Sequence, residues 1–350
     1  MEQARSIRRP AGVFAAVTVA AVLLTGCPTV GGGGGSFGRT VNPCTPGSGI
    51  TCDAVFGNIV APPTIIASNT LAVVFNGAGA QPLAYTKLLG TLAGIGMHTI
   101  GLRYSSASGT ADACPVANAS TDPDCHRRFR GELTFGQNVA DPNGYQADLV
   151  GMNVSQANSV MNRLLTLVEY LRTSYPSENW GQFQRRDSGG ICSTTNTTYG
   201  VCELDWSKVV PVGHSLGAGV ALYLSKFKAV DRLGMISGPF DEYVVGPTLT
   251  VAPWIAEGGF ATPSSNMFGL THTLEPNAAA QSAAWDALAM AGPQVSVDGN
   301  ITPYGGAQQL TTSLTPSCNG LTGARHNSTA QDLCTPENAL AAAWSTMAAG

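Results

Sequence analysis

The sequence predicts an α/β protein built on a doubly wound, mainly parallel sheet. Three features predict it. Short continuous apolar runs, typical of strands buried on both faces, fall at residues 70–75, 209–212 and 233–236. Stretches with apolar residues at helical spacing separate them. Two of the runs end in glycine-rich turns, Asn76-Gly77-Ala78-Gly79-Ala80 and Gly213-His214-Ser215-Leu216-Gly217, and strand, tight turn, helix, strand is the pattern of a parallel sheet.

The N-terminus reads as an address. Residues 1–26 carry Arg5, Arg8 and Arg9 ahead of an apolar run at 11–24, which has the anatomy of a secretion signal and is short for a membrane span. Leu24-Thr25-Gly26-Cys27 resembles the lipobox of bacterial lipoproteins. That resemblance implies that Cys27 is lipidated and becomes the new N-terminus, with residues 27–43, glycine-rich at 31–35, as a flexible tether. The expected location is the bacterial cell envelope, with residues 44–350 hanging from a membrane through lipidated Cys27.

The eight other cysteines, Cys44, Cys52, Cys114, Cys125, Cys192, Cys202, Cys318 and Cys334, fall into four close sequential pairs. Sequential pairing closes the shortest loops at the least entropic cost. No C-x-x-C or Cys/His cluster competes for a metal, so no metal is expected and four disulfides in an oxidising compartment are. The 350 residues are 44% hydrophobic, ample for a core, and only 11% charged with a net charge of −4. No basic surface recommends nucleic acid as a partner; neutral or apolar partners fit better.

The body follows in order. After the 70–75 strand, Pro82 opens a helix with Leu88, Leu89 and Leu92 on one face, and a second strand follows at 99–102. Residues 105–155 form a long polar insertion holding Cys114, Cys125, Arg127, Arg128 and Arg130. It reads either as a lid or as a stapled surface segment, with the arginines solvated or salt-bridged. Val160, Met161, Leu164, Leu165, Val168 and Leu171 make residues 155–174 an amphipathic helix. A second insertion, 177–205, precedes the 209–212 strand, where Pro211 is a mild objection because it removes a ladder donor.

Beyond the second glycine-rich turn, strands are expected at 233–236, 267–271 and 309–314, with an alanine-rich helix at 277–290. A terminal helix at 336–348 would be N-capped by Thr335. Residues 240–265, rich in Phe240, Tyr243, Trp254 and Phe260, suggest a cap over an apolar pocket or ordinary packing. Asn118, Asn153, Asn196 and Asn327 stand in glycosylation-like triplets that a bacterial lipoprotein would leave unused.

Gly213-His214-Ser215-Leu216-Gly217 reads as a nucleophile elbow. A serine hydroxyl is a weak nucleophile, so it must stand clear on a tight strand-to-helix turn where a histidine can take its proton. With the Asn76-Gly77-Ala78-Gly79 loop after an earlier strand, the chain over roughly 70–348 resembles the α/β-hydrolases, although Asn76 departs from their usual His-Gly start. The resemblance implies an α/β-hydrolase fold in which Ala78 and Leu216 supply oxyanion N–H groups. It also implies the chain order serine, acid, histidine. His98 and His126 precede Ser215, and the His214 ring cannot turn onto its neighbour. Between His272 and His326, the latter follows the last strand inside the Cys318 to Cys334 loop and is the expected base. Glu275, after the penultimate strand, is the favoured acid; Asp241, after the preceding one, is the alternative.

The expectation is a serine hydrolase needing no cofactor and acting on an ester-containing substrate, apolar on its acyl side. Gly-His-Ser-Leu-Gly is the form common in lipases and esterases. Peptidase or acyltransferase chemistry on the same fold, or a non-catalytic envelope-binding lipoprotein, are the alternatives.

Overall fold

The computed structural model describes residues 37–350 apart from 48, 54, 116–120, 147–151, 247 and 337. The signal segment, Cys27 with its lipidation, and Asn118 lie outside the described residues.

The strands in chain order are β1 (Arg39–Val41), β2 (Asn58–Ala61), β3 (Leu71–Phe75), β4 (His98–Leu102), β5 (Thr195–Asn196), β6 (Val201–Cys202), β7 (Val209–His214), β8 (Leu233–Ile236), β9 (Glu242–Val245), β10 (Thr248–Val251), β11 (Met267–His272), β12 (Val295–Ser296) and β13 (Gln309–Thr312). Among the described residues, nine of them form one sheet in the order β1-β2-β4-β3-β7-β8-β11-β13-β12. From β4 to β12 every neighbouring pair is parallel. At one edge, β2 runs antiparallel to both its neighbours, β4 and β1.

Strand β3 shows how both faces are covered. Leu71, Val73 and Phe75 pack with the helices Cys125–Phe135, Val160–Ser174 and Leu216–Phe227, whereas the alternate residues Ala72 and Val74 pack with Thr86–Gly94 and Ala341–Ala349. A two-residue side-chain period in a strand apolar throughout requires a helical layer on each side. Pro211 is accommodated because pairing with β8 begins only at Val212, so at Pro211 strand β7 is bordered by β3 alone.

The structure departs from the expected elements in five places. Strand β1 (Arg39–Val41) lies within the stretch 27–43 expected as tether and pairs with β2 in the main sheet. The insertion at 105–155 contains the helix Cys125–Phe135, with Phe129 and Leu133 in the core and Arg130 buried beside them. Helix 155–174 starts at Val160, because the Ser159 hydroxyl caps it by accepting the Asn162 N–H at 3.2 Å. The last helix begins at Ala341, and Thr335 donates its hydroxyl to the Gln331 carbonyl instead of capping. Residues 240–265 hold the β9–β10 hairpin, while Trp254 and Ile255 are core residues.

The four disulfides pair Cys44 with Cys52, Cys114 with Cys125, Cys192 with Cys202 and Cys318 with Cys334. They place the chain in an oxidising compartment, extracellular or periplasmic. Among the described residues no helix is long and apolar enough to cross a membrane. The Cys318–Cys334 link spans 16 residues. Replacing both cysteines with serine is expected to cost about 3 kcal/mol of unfolding free energy, read by urea denaturation.

Candidate active site

Ser215 follows β7 and precedes the helix Leu216–Phe227, with φ 56° and ψ −117°. A non-glycine residue held there stores roughly 1–3 kcal/mol of strain, which the surrounding packing must enforce. The two flanking glycines make the turn possible. A Cβ at Gly213 would lie 2.0 Å from the Gly217 carbonyl oxygen, and one at Gly217 would lie 2.1 Å from the carbonyl oxygen of Phe75 at the end of β3. The Ser215 N–H donates to the Ile236 carbonyl at 2.9 Å, tying the turn to β8. Ser215 is half-buried between two buried neighbours, His214 and Leu216.

This turn sits where the sheet changes winding direction. The chain leaves β3 for β4 on one side, and β7 lies on the other, so a crevice opens at the carboxyl ends of β3 and β7, the usual ligand position in such sheets. The Asn76–Gly79 loop forms its rim. Gly77 N–H donates to the Tyr85 hydroxyl (2.9 Å), Gly79 N–H to the Ser106 carbonyl (2.7 Å) and Ala80 N–H to the Gly77 carbonyl (3.2 Å). Among the described residues, the Ala78 N–H has no hydrogen-bond partner. Its direction is also fixed. The Gly77 carbonyl accepts from Ala80 N–H and from the Asn76 side chain (3.0 Å), so the Ala78 N–H on the same planar peptide points the opposite way. Asn76, whose amide also reaches the Ala80 carbonyl and Ser106 Oγ, braces the loop from within. Leu216 N–H is the first of its helix, one of the donors a helix leaves free.

Glu275 and His326 meet beside this crevice. Glu275 lies just past β11, is buried, and places Oε2 3.3 Å from His326 Nδ1. Ser237 Oγ donates to Oε2 at 2.8 Å, and the Gln281 amide donates to Oε1. Burial pushes this carboxyl up, but His326, Ser237 and Gln281 outweigh it and hold the pKa below the ordinary value. His326 belongs to the short helix Ala324–Asn327 inside the Cys318–Cys334 loop. Its ring centroid is 4.9 Å from that of His214 and 6.2 Å from that of Phe240. Ser215 Oγ makes no hydrogen bond among the described residues; a serine–histidine bond is often long until substrate arrives.

Asp241 is engaged elsewhere. It is fully buried and bound by Arg130, whose Nη2 is 2.6 Å from Oδ1 and whose Nε is 3.0 Å from Oδ2; Trp254 Nε1 donates to Oδ2 at 3.1 Å. Burial raises its pKa, but Arg130, His126 and Trp254 together outweigh burial and hold it below the ordinary value. The histidine beside it is His126, at 4.0 Å. The structure thus brings Glu275 to His326 and gives Asp241 a packing role. Arg130 also donates to the Leu216 carbonyl (2.9 Å) and lies across Gly219, where a Cβ would come within 2.2 Å of the guanidinium carbon. Gly219 is therefore required by an arginine under the elbow helix. Asp241→Asn would leave that buried cation uncompensated and is expected to lower stability by about 3–5 kcal/mol, measurable by urea denaturation.

The other histidines have structural partners. His272 Nε2 donates to the Leu314 carbonyl at 3.1 Å while Nδ1 accepts the Leu274 N–H, so it caps its strand. His98 and His126 bond the Glu178 and Glu242 carbonyls. Burial, reinforced by the neighbouring His326, pushes His214 down to about 3. An unfolded histidine takes its proton near 6.5, so this native ring refuses a proton that the unfolded chain accepts. Stability from this group is full above about pH 6.5 and falls by up to about 1.4 kcal/mol per unit as pH drops toward 3. Urea titrations from pH 7 to 4 should show that slope, and it should flatten in His214→Gln.

Sequence reasoning missed Tyr85, Ser237 and Gln281; Arg130, expected solvated or salt-bridged, is paired with Asp241. A cavity of about 580 Å³ bordered by Asp53, Arg103 and Arg163 lies away from Ser215, and protein acceptors already engage both guanidinium groups. Compared with protein-family models, curated proteins and solved structures, the chain matches none.

Proposed function

We propose that this protein is a serine hydrolase of the α/β-hydrolase type that cleaves carboxylic esters through an acyl-enzyme. The observation that carries the reading is the convergence, at the carboxyl ends of the central strands, of a strained Ser215, a Glu275–His326 pair and an unpartnered Ala78 N–H. Ser215 Oγ attacks the ester carbonyl as His326 Nε2 takes its proton. Glu275 holds Nδ1 and stabilises the imidazolium. The Ala78 and Leu216 N–H groups receive the oxyanion. His326 then protonates the departing alcohol, and water attacks the acyl-enzyme by the reverse sequence.

An apolar substrate suits the surroundings. A cavity of about 350 Å³ at His326 is lined by Leu274, Pro276, Leu321 and Ala324 together with Asn319, Thr322 and Arg325, and Leu274 and Leu321 remain 58% and 57% exposed. The secretion-signal pattern and the disulfides together support an envelope enzyme anchored through lipidated Cys27.

The test is a series of p-nitrophenyl esters from acetate to palmitate. Turnover that rises from acetate into the medium chains supports the reading. A folded protein that turns over none of them contradicts it.

A further inference from the structure

His214 stands inside the elbow, yet its ring serves two loops distant in sequence. Its Nε2 lies 3.0 Å from the His326 carbonyl oxygen. A carbonyl only accepts, so Nε2 carries the hydrogen. The ring is fully buried and neutral, which leaves Nδ1 bare. Nδ1 lies 3.0 Å from the Tyr85 hydroxyl and must accept its hydrogen, and the Tyr85 oxygen in turn accepts the Gly77 N–H at 2.9 Å. One polarised chain therefore runs Gly77 N–H to Tyr85 O–H to His214, and from His214 N–H to the His326 carbonyl.

We propose that His214 and Tyr85 are positioning residues that couple the Asn76–Gly79 loop to the His326 loop, so that the oxyanion donor and the general base are in register only together. The geometry excludes simpler roles. The His214 ring offers no free nitrogen to a substrate, and Gly77 N–H is withdrawn from oxyanion binding, leaving that task to Ala78. Tyr85 is itself fully buried, so the chain is shielded from competing water. Both ends lie one residue or less from a working group: Gly77 adjoins Ala78, and the His326 carbonyl belongs to the base itself. Losing one link should loosen both loops. The kinetic consequence rests on the serine-hydrolase reading; the coupling does not.

Tyr85→Phe removes the middle link and keeps the ring. In the full chain, hydrogen–deuterium exchange should rise about tenfold at the Gly77 amide and also across residues 323–330, on the far side of His214. A role confined to the Asn76–Gly79 loop would move only the first. For p-nitrophenyl butyrate, kcat should fall about tenfold with KM unchanged. His214→Gln combined with Tyr85→Phe should lose little beyond the worse single variant, since both cut one chain. A nitrogen-15 spectrum of wild type should show His214 protonated at Nε2 alone at pH 7.

Unchanged exchange across 323–330 in Tyr85→Phe, or a proton on Nδ1 in wild type, overturns the coupling. These readouts need no catalysis, so a wild type inert toward esters would refute the hydrolase reading while exchange still decides the relay.

Discussion

Ser215→Ala is expected to lower kcat toward a p-nitrophenyl ester by on the order of 10⁶-fold, the size of effect seen when the nucleophile of a serine–histidine–carboxylate set is removed. The residual rate should still exceed that in water, because the Ala78 and Leu216 donors and the binding crevice remain. Stability should change by less than about 1 kcal/mol, since Ser215 Oγ forms no hydrogen bond among the described residues and alanine keeps the same Cβ in the same strained backbone. A folded variant with such a loss, by circular dichroism and steady-state assay, separates chemistry from unfolding.

Glu275→Gln should lower kcat by roughly 10⁴-fold with little change in KM. The carboxylate sits among donors from His326, Ser237 and Gln281. A glutamine there must turn its own NH₂ toward one of them. Turned toward His326, it favours the wrong tautomer for proton abstraction. Asp241→Asn gives the opposite pattern, with lost stability and near-normal kcat in the fraction that folds. Assaying both variants beside their urea midpoints distinguishes an acid that serves His326 from one that neutralises Arg130.

The central sheet and its elbow were legible because their signals are local. The run 209–212 and the glycines at 213 and 217 have one physical reading, since a side chain at either glycine would collide with the backbone. The four sequential disulfides were legible for the same reason: each closes within one connecting segment. The choice between Glu275 and Asp241 was not, because each follows a strand and only the distant partner, His326 or Arg130, tells them apart. Helix Cys125–Phe135 was hidden by arginines at 127, 128 and 130, whose charge masked a face that is buried because Asp241, over a hundred residues away, compensates Arg130. Tyr85 and His214 gave no signal in a sequence scan, since their function lies in contacts that only the fold creates.

The central claim is that Ser215 is an activated nucleophile. The most direct measurement is labelling with a fluorophosphonate probe followed by peptide mass spectrometry. The account predicts one covalent adduct, on Ser215, formed by folded wild type and absent from Ser215→Ala and from wild type unfolded in urea. A folded wild type that takes up no probe, or takes it up equally in Ser215→Ala, would contradict it.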